Sequence, residues 1–261
     1  AGLKYALERT PERPETLLDC GAGTGAASWA ADALLDLRGV TCLEREPAMI
    51  RLGRSLAADA SPALRNADWV RRDLAKDDIP ERAELVIASY VLNELHDAER
   101  EAAVRKLWNA AERMLLIVEP GTPAAYRGLM AVRGQLLRLG AHIAAPCPHA
   151  GECPMEADDW CHFRCRIPRS RLHKRLKDGS APYEDEKFSY LAVTREPCAR
   201  AEARIIRRPR IDKGRIGLEL CTPDGLRSVD VHKKDGELFK RARKAECGDA
   251  FSAPGAGGTR S

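Results

Sequence analysis

The stretch Thr16-Leu17-Leu18-Asp19-Cys20-Gly21-Ala22-Gly23-Thr24-Gly25 limits the fold more than any other part of the chain. Its first residues read as a short buried strand, its glycines as a turn, and the Ala-rich run over 26–37 as a helix. Strand, glycine turn and helix in that order form a nucleotide site, because glycine lets a ligand approach the backbone and a helix N-terminus favours negative charge. A second strand over 40–44 ends in Glu44, about 25 residues after Asp19, where doubly wound folds grip ribose hydroxyls.

The alternation continues with a helix over 47–58, strands over 69–71 and 85–88, a helix over 98–111, a strand over 114–118 and a helix over 124–139. Such spacing predicts a mostly parallel sheet covered on both faces. A strand over 188–194 and short β runs at 205–206, 216–221 and 229–231 follow. The expected organisation is a sheet domain over 1–140, a cysteine-rich and basic segment over 141–182, a return strand within 183–200, a small basic β extension over 201–250, and a disordered Gly- and Ala-rich tail over 251–261.

The order Asp-x-Gly-x-Gly-x-Gly resembles the first motif of class I S-adenosylmethionine (SAM) methyltransferases and differs from the Gly-x-Gly-x-x-Gly of dinucleotide enzymes. The implied fold is α/β, a Rossmann-like doubly wound sheet. The implied cofactor set places Asp19, Gly21, Gly23 and Gly25 at the methionine moiety, Glu44 on the ribose and Asp73 at the adenine, with Ser89 at the end of strand four. For Asp73 the plain alternative is an exposed loop carboxylate. Strand four runs into Ser89-Tyr90-Val91-Leu92-Asn93-Glu94-Leu95-His96, where many amino-methyltransferases carry Asn or Asp and then Pro-Pro-aromatic. Asn93, Glu94 and His96 suit a capped helix start better than catalysis, so no catalytic residue is assigned.

The chain of 261 residues can bury a substantial core. It has no apolar run near the roughly 20 residues that span a bilayer and no basic-then-apolar leader, so a soluble intracellular protein is expected, without membrane partners. It opens on Ala1 close to a strand, which points to a preceding segment. The net charge of +4 is uneven: residues 1–125 carry 16 Lys and Arg against 21 Asp and Glu, and residues 126–261 carry 27 against 18. The second half is therefore the side for a polyanion.

Nine cysteines in a reducing compartment are free thiols, so their spacing carries the meaning. Cys20, Cys42, Cys198 and Cys247 are scattered and read as small buried residues. Cys147, Cys153 and Cys161 are different. The loop Pro146-Cys147-Pro148-His149-Ala150-Gly151-Glu152-Cys153-Pro154 and the following Trp160-Cys161-His162-Phe163 can turn three thiolates onto one metal or cluster. Spacing alone favours Cys165 as the fourth ligand. Zinc remains open, with His149 or His162 in place of a thiolate.

These cysteine motifs, Ile117-Val118-Glu119-Pro120-Gly121, and Leu220-Cys221-Thr222-Pro223-Asp224-Gly225 together resemble the methyltransferase-like family of the mitochondrial and bacterial small ribosomal subunit, over nearly the whole chain. The resemblance implies a small-subunit assembly factor that binds ribosomal RNA and carries a [4Fe-4S] cluster on Cys147, Cys153, Cys161 and Cys221. It implies a bacterial cytoplasmic or mitochondrial matrix setting, the pre-ribosomal small subunit as partner, and a monomer when free.

Arg164, Arg166, Arg169, Arg171, Lys174, Arg175 and Lys177 fall in one short acid-free run, read here as a phosphate-contact surface rather than a solvated face. Arg204, Arg207, Arg208, Arg210, Lys213 and Arg215, and the lysines and arginines over 233–244, extend it. Tyr183, Phe188 and Tyr190 could stack on bases, with core packing expected for at least two. Two rival readings are an active SAM-dependent ribosomal RNA methyltransferase, and a zinc-stabilised RNA-binding module with a vestigial pocket.

Overall fold

The computed structural model describes residues 1–156, 158–169 and 182–252. Its main sheet has the order β3-β2-β1-β4-β5-β8-β6, with β7 added on β8. The strands are β1 Thr16–Cys20, β2 Gly39–Glu44, β3 Asp68–Arg71, β4 Ala83–Ser89, β5 Ala111–Pro120, β6 His142–Ala145, β7 Phe163–Pro168 and β8 Tyr183–Thr194. β1 to β5 run parallel to one another, while β8 is antiparallel to β5, β6 and β7. This is the expected class I methyltransferase-like, doubly wound sheet.

The central strands are almost wholly apolar because both faces are covered. Leu18, Val86, Leu115 and Ile117 face a core packed by α5 (Asp97–Ala110) and α6 (Pro123–Arg138), and Leu17, Leu85, Ile87 and Leu116 face the opposite one. α6 starts sharply: Pro123 supplies a pre-set φ, and the Thr122 hydroxyl accepts from the Ala125 N–H at 3.3 Å. At the turn after β1, Gly21 has φ +73°, and a Cβ there would lie 2.7 Å from a Val91 methyl, so no other residue fits.

β8 does two jobs along its length. Its inner half, with Phe188, Tyr190, Leu191 and Val193 buried, completes the main sheet, and its outer half from Tyr183 pairs only with β7. The C-terminal unit is a four-stranded sheet of β9 (Arg204–Ile205), β10 (Arg210–Asp212), β11 (Arg215–Thr222) and β12 (Gly225–His232), covered by a last helix, Glu237–Lys244. Its core is Ile205, Ile216, Leu218, Leu220, Val231 and Ala242.

Several expectations need adjustment. The helix α2 (Ala26–Asp32) ends short of residue 37. The segment over 141–182 opens with β6, a strand of the main sheet, and contains β7. The N-terminal helix α1 (Gly2–Leu7), β10 and the last helix were not legible. Phe251, placed at the start of the tail, is buried against the small sheet, because the Phe251 N–H bonds the Ala203 carbonyl and its ring joins that core. The rest of the expected tail, 253–261, lies outside the described residues. Among the described residues no helix is long and apolar enough to cross a membrane.

Candidate cofactor pocket and cysteine centre

At the C-terminal ends of β1, β2 and β4, a cavity of about 310 Å³ is lined by Gly21, Gly23, Glu44, Asp73, Tyr90 and Val91, among others. Ligands of doubly wound sheets sit at this end of the strands. Glu44 is buried and orders the rim: its Oε2 accepts the Gly23 N–H at 2.7 Å, and its Oε1 accepts the Glu46 N–H at 2.9 Å. Arg45 and Glu94 approach to 3.7 Å from two rim elements. Among the described residues Tyr90 alone is a non-glycine with positive φ, at 59°, a strained conformation held where β4 meets the pocket.

Four expected cofactor residues line this cavity, namely Gly21, Gly23, Glu44 and Asp73; Asp19, Gly25 and Ser89 do not. Asp19 is fully buried behind it, where its Oδ2 accepts both the N–H and the hydroxyl of Ser28 at 3.1 and 2.7 Å and so ties β1 to α2. Burial raises its pKa to about 6, against the lowering effect of the Ser28 bonds. Gly25 is the left-handed N-cap of α2. Asp73 caps its own turn through the Ala75 N–H. Beside the cavity, Glu119 accepts the Leu92 and Asn93 N–H groups at 3.0 and 3.2 Å, and burial pushes its pKa to about 7. It latches the loop after β4.

The second site lies between the sheets. Cys147, Cys153, Cys161 and Cys221 all line one narrow cavity, with Leu129, Met130, Phe163 and Tyr190 as apolar walls. Cys147 lies two residues after β6, Cys161 lies two residues before β7 with its carbonyl held by the Ser189 hydroxyl at 2.8 Å, and Cys221 arrives on β11. Cys165 is exposed on β7 and does not line the cavity. The Tyr126 hydroxyl lies 3.1 Å from the Cys153 Sγ, and His149 Nε2 lies 3.7 Å from the Cys221 Sγ. Burial raises the Cys147 and Cys161 thiols and pushes Cys221 up to about 12.

Two guanidinium groups are buried beside the thiols. Arg133 on α6 donates to the His149 and Gly151 carbonyls at 3.1 and 2.7 Å, and Arg204 on β9 donates to the Pro146 and Gly248 carbonyls at 2.9 and 2.8 Å. Neither pairs with a carboxylate among the described residues, and each keeps one unbonded nitrogen. Both lower the Cys147 and Cys221 thiol pKa values, though burial outweighs them. Among the described residues no three His, Cys, Asp or Glu side chains are drawn up as a single-ion site.

Comparison with known proteins gives the kinship. The sequence profile of the mitochondrial small ribosomal subunit protein Rsm22 matches residues 1–252. The chain belongs to the Rsm22 family. Human mitochondrial ribosome assembly protein METTL17 is 27% identical over 262 residues, covering 91% of this chain and 55% of that protein. The mitochondrial Rsm22-cox11 tandem protein 2 of Schizosaccharomyces pombe is 26% identical over 306 residues, covering 93% and 39%. The chain thus spans about half the human relative's length and less of the yeast one's. Among solved structures, the N-methyltransferase NodS of Bradyrhizobium japonicum has a TM-score of 0.48 at 14% identity, covering 74% of this chain and 90% of that one. Magnesium protoporphyrin IX methyltransferase from Synechocystis has 0.45 at 16% identity, covering 69% of each.

In this Rsm22-family chain the basic run is less free than its sequence implies. On β7, Arg166 meets Asp185 of β8 through two bonds of 2.7 and 2.9 Å, Arg164 lies 4.0 Å from the same carboxylate, and Arg169 bonds Glu184 at 3.2 Å. Those acids come across the strand ladder, where a search for partners along one helix face does not look. Arg171, Lys174, Arg175 and Lys177 lie outside the described residues. Phe188 and Tyr190 are core residues, while Tyr183 is exposed with the Arg166 guanidinium 4.1 Å from its ring centre. Arg133 and Tyr126 were missed, yet a signal existed: Arg133 interrupts the apolar stripe Tyr126, Leu129, Val132 and Leu136 of α6.

Proposed function

We propose that this chain is an assembly factor for the small ribosomal subunit, built on a methyltransferase-like frame, that binds ribosomal RNA and carries a [4Fe-4S] cluster on Cys147, Cys153, Cys161 and Cys221. The observation that carries the cluster is the meeting of four thiols in one cavity with two buried guanidiniums that have no carboxylate partner among the described residues. A buried unpaired charge is strongly unfavourable. Four thiolates around a divalent centre leave a net charge of about −2, which Arg133 and Arg204 match.

Zinc has the same formal charge but needs the thiolates closer. A tetrahedral ion with Zn–S bonds of about 2.3 Å sets the sulfurs roughly 3.8 Å apart. The four thiols share one cavity, and metal analysis separates the two occupants. The cluster, when bound, supplies a cross-link among thiolates from three parts of the chain. The residues do the rest: Tyr126 hydrogen-bonds the Cys153 sulfur, Phe163 and Tyr190 exclude water, and Arg133 and Arg204 hold the ligand loop by its carbonyls.

The other pocket fits SAM, with Glu44 positioned for ribose hydroxyls and the glycine turn open to a ligand. Binding there does not entail methyl transfer, and no side chain at the pocket is assigned as a catalytic base. The names of the relatives place them in mitochondria, which supports a mitochondrial matrix setting.

Anaerobic purification with iron, sulfide and zinc analysis tests the reading. Brown protein with iron and sulfide in equal amounts is expected. Colourless protein with stoichiometric zinc would replace the cluster by a zinc site.

A further inference from the structure

A cleft of about 380 Å³ opens between the β7–β8 ribbon and the C-terminal unit. Arg164 and Arg166 enter it from β7, Arg208 from the loop after β9, and Arg243 and Lys244 from the end of the last helix. Against these five cations stand two carboxylates, Asp185 and Glu246. Asp185 is already engaged by Arg166 and Arg164. Arg208, Arg243 and Lys244 are exposed and form no ion pair among the described residues.

We infer that this cleft is where the protein seats the sugar–phosphate backbone of an RNA strand, with Arg208, Arg243 and Lys244 as its principal phosphate contacts. This rests on the RNA-binding reading above and changes which residues serve it. The acid-free run beginning at Arg164 draws attention in the sequence, but its described members are largely neutralised across the ladder. The unpaired cations come from two elements that the sequence keeps 35 residues apart, at Arg208 and Arg243. Folding brings them to one wall.

Cations in a concave groove serve any polyanion. The surroundings favour nucleic acid over an acidic protein. Ile211, 62% exposed, lines the cleft, and Tyr183, 47% exposed, stacks on Arg166 at its edge. Exposed flat or apolar faces beside cations suit unpaired bases that stack while phosphates pair. Carboxylate side chains have no such face to offer.

The test measures binding of a fluorescein-labelled oligouridylate to the intact chain over a salt series. The variant carries Arg208→Gln, Arg243→Gln and Lys244→Gln; a control with the same charge loss in the same unit, outside the cleft, carries Lys213→Gln, Lys233→Gln and Lys234→Gln. Each lost phosphate contact weakens binding roughly fourfold at about 0.15 M salt, so the cleft variant should lose about fiftyfold and its log–log salt slope should fall by about 2. The control should change less than about threefold. Equal losses in both variants, or none in the cleft variant, would overturn the assignment of the cleft while leaving RNA binding itself intact. Failure of the unmodified chain to bind oligouridylate would instead sink the RNA reading. Polyglutamate that bound more tightly than the oligouridylate, and responded to the same three substitutions, would reassign the cleft to an acidic protein.

Discussion

The Gly23 N–H donates to Glu44 Oε2 at 2.7 Å, so the turn after β1 and the acid ending β2 hold each other in place across the candidate cofactor pocket. A carboxylate oxygen can accept more than one hydrogen bond, so Glu44 can keep this contact and still receive ribose hydroxyls. SAM should therefore bind to the unmodified chain. Glu44→Ala should weaken it by about tenfold or more, because two charge-assisted bonds and the order of the rim are lost together. Calorimetry reads both numbers. No heat with the unmodified protein would mark the pocket as vestigial.

The fourth thiol divides two readings sharply. Cys221 lines the cavity from β11, and Cys165 is exposed on β7. Cys221→Ser should lose the visible absorbance and the iron, while Cys165→Ser keeps both. The opposite pattern would reassign the ligand to the position that spacing alone prefers.

Arg133 and Arg204 should separate the stability of the empty fold from the retention of the proposed cluster. With no cluster, Arg133→Met exchanges a buried unpaired charge for an apolar side chain and should raise the melting temperature. With the cluster, the same change removes half of the compensating charge, a loss of about 3–5 kcal/mol by analogy with broken buried pairs. Iron retained through gel filtration should fall, although no ligand has changed. A variant that melted lower and held its iron fully would show that Arg133 serves only to brace the loop carbonyls.

Much of this architecture is legible in the sequence and some of it cannot be. The Gly turn, the acid at Glu44 and the apolar runs of β1, β4 and β5 report local geometry and two-sided burial, and the sheet they predict is the one observed. β7 carries no such pattern. Only Phe163 of its six residues is buried, so its strand character comes from pairing with β8 and not from its own alternation. Likewise Cys221 joins the thiols because β11 pairs with β9, whose Arg204 bonds the Pro146 carbonyl next to Cys147. No interval along the chain encodes that, and resemblance to a family supplied it. The buried arginines follow the same rule: a cation among apolar residues on α6 announces that something anionic is near, without saying what.

Asp19 gives a pH prediction of definite sign. Its folded pKa of about 6 lies above its ordinary value of 3.8, so the native chain holds the proton more tightly than the unfolded one. The stability that protonation contributes is complete below pH 4 and is lost as the pH rises to about 6, amounting to roughly 3 kcal/mol. Asp19→Asn keeps an acceptor for the Ser28 N–H and hydroxyl while removing the charge. The variant should be more stable than the parent by about 1–3 kcal/mol at pH 8 and should converge on it near pH 4. Denaturant melts at the two pH values would show the gap closing. A gap that stayed constant would mean that Asp19 does not titrate in this window.

The final prediction links the thiol centre to the basic cleft. Cys161 anchors the start of β7, which forms one wall of the cleft, and Cys221 belongs to the C-terminal unit that forms the other. Between those two thiols the chain contains the whole run from Arg164 to Lys177, so closing a cluster over Cys161 and Cys221 also closes a loop around those cations. Cys247 lines the cleft and lies 4.0 Å from the His162 carbonyl, one residue from Cys161, which brings the two sites into contact. Cluster binding contributes folding energy and fixes the walls relative to each other. A preorganised groove meets phosphates without first losing that freedom, so its affinity is higher for the same charges. RNA affinity should therefore fall when the cluster is stripped anaerobically with a chelator, although every arginine and lysine remains. The comparison is made at one salt concentration, because the charge term varies steeply with salt. Equal binding by the stripped and loaded forms would confine the cluster to holding the domain together and remove it from the control of RNA binding.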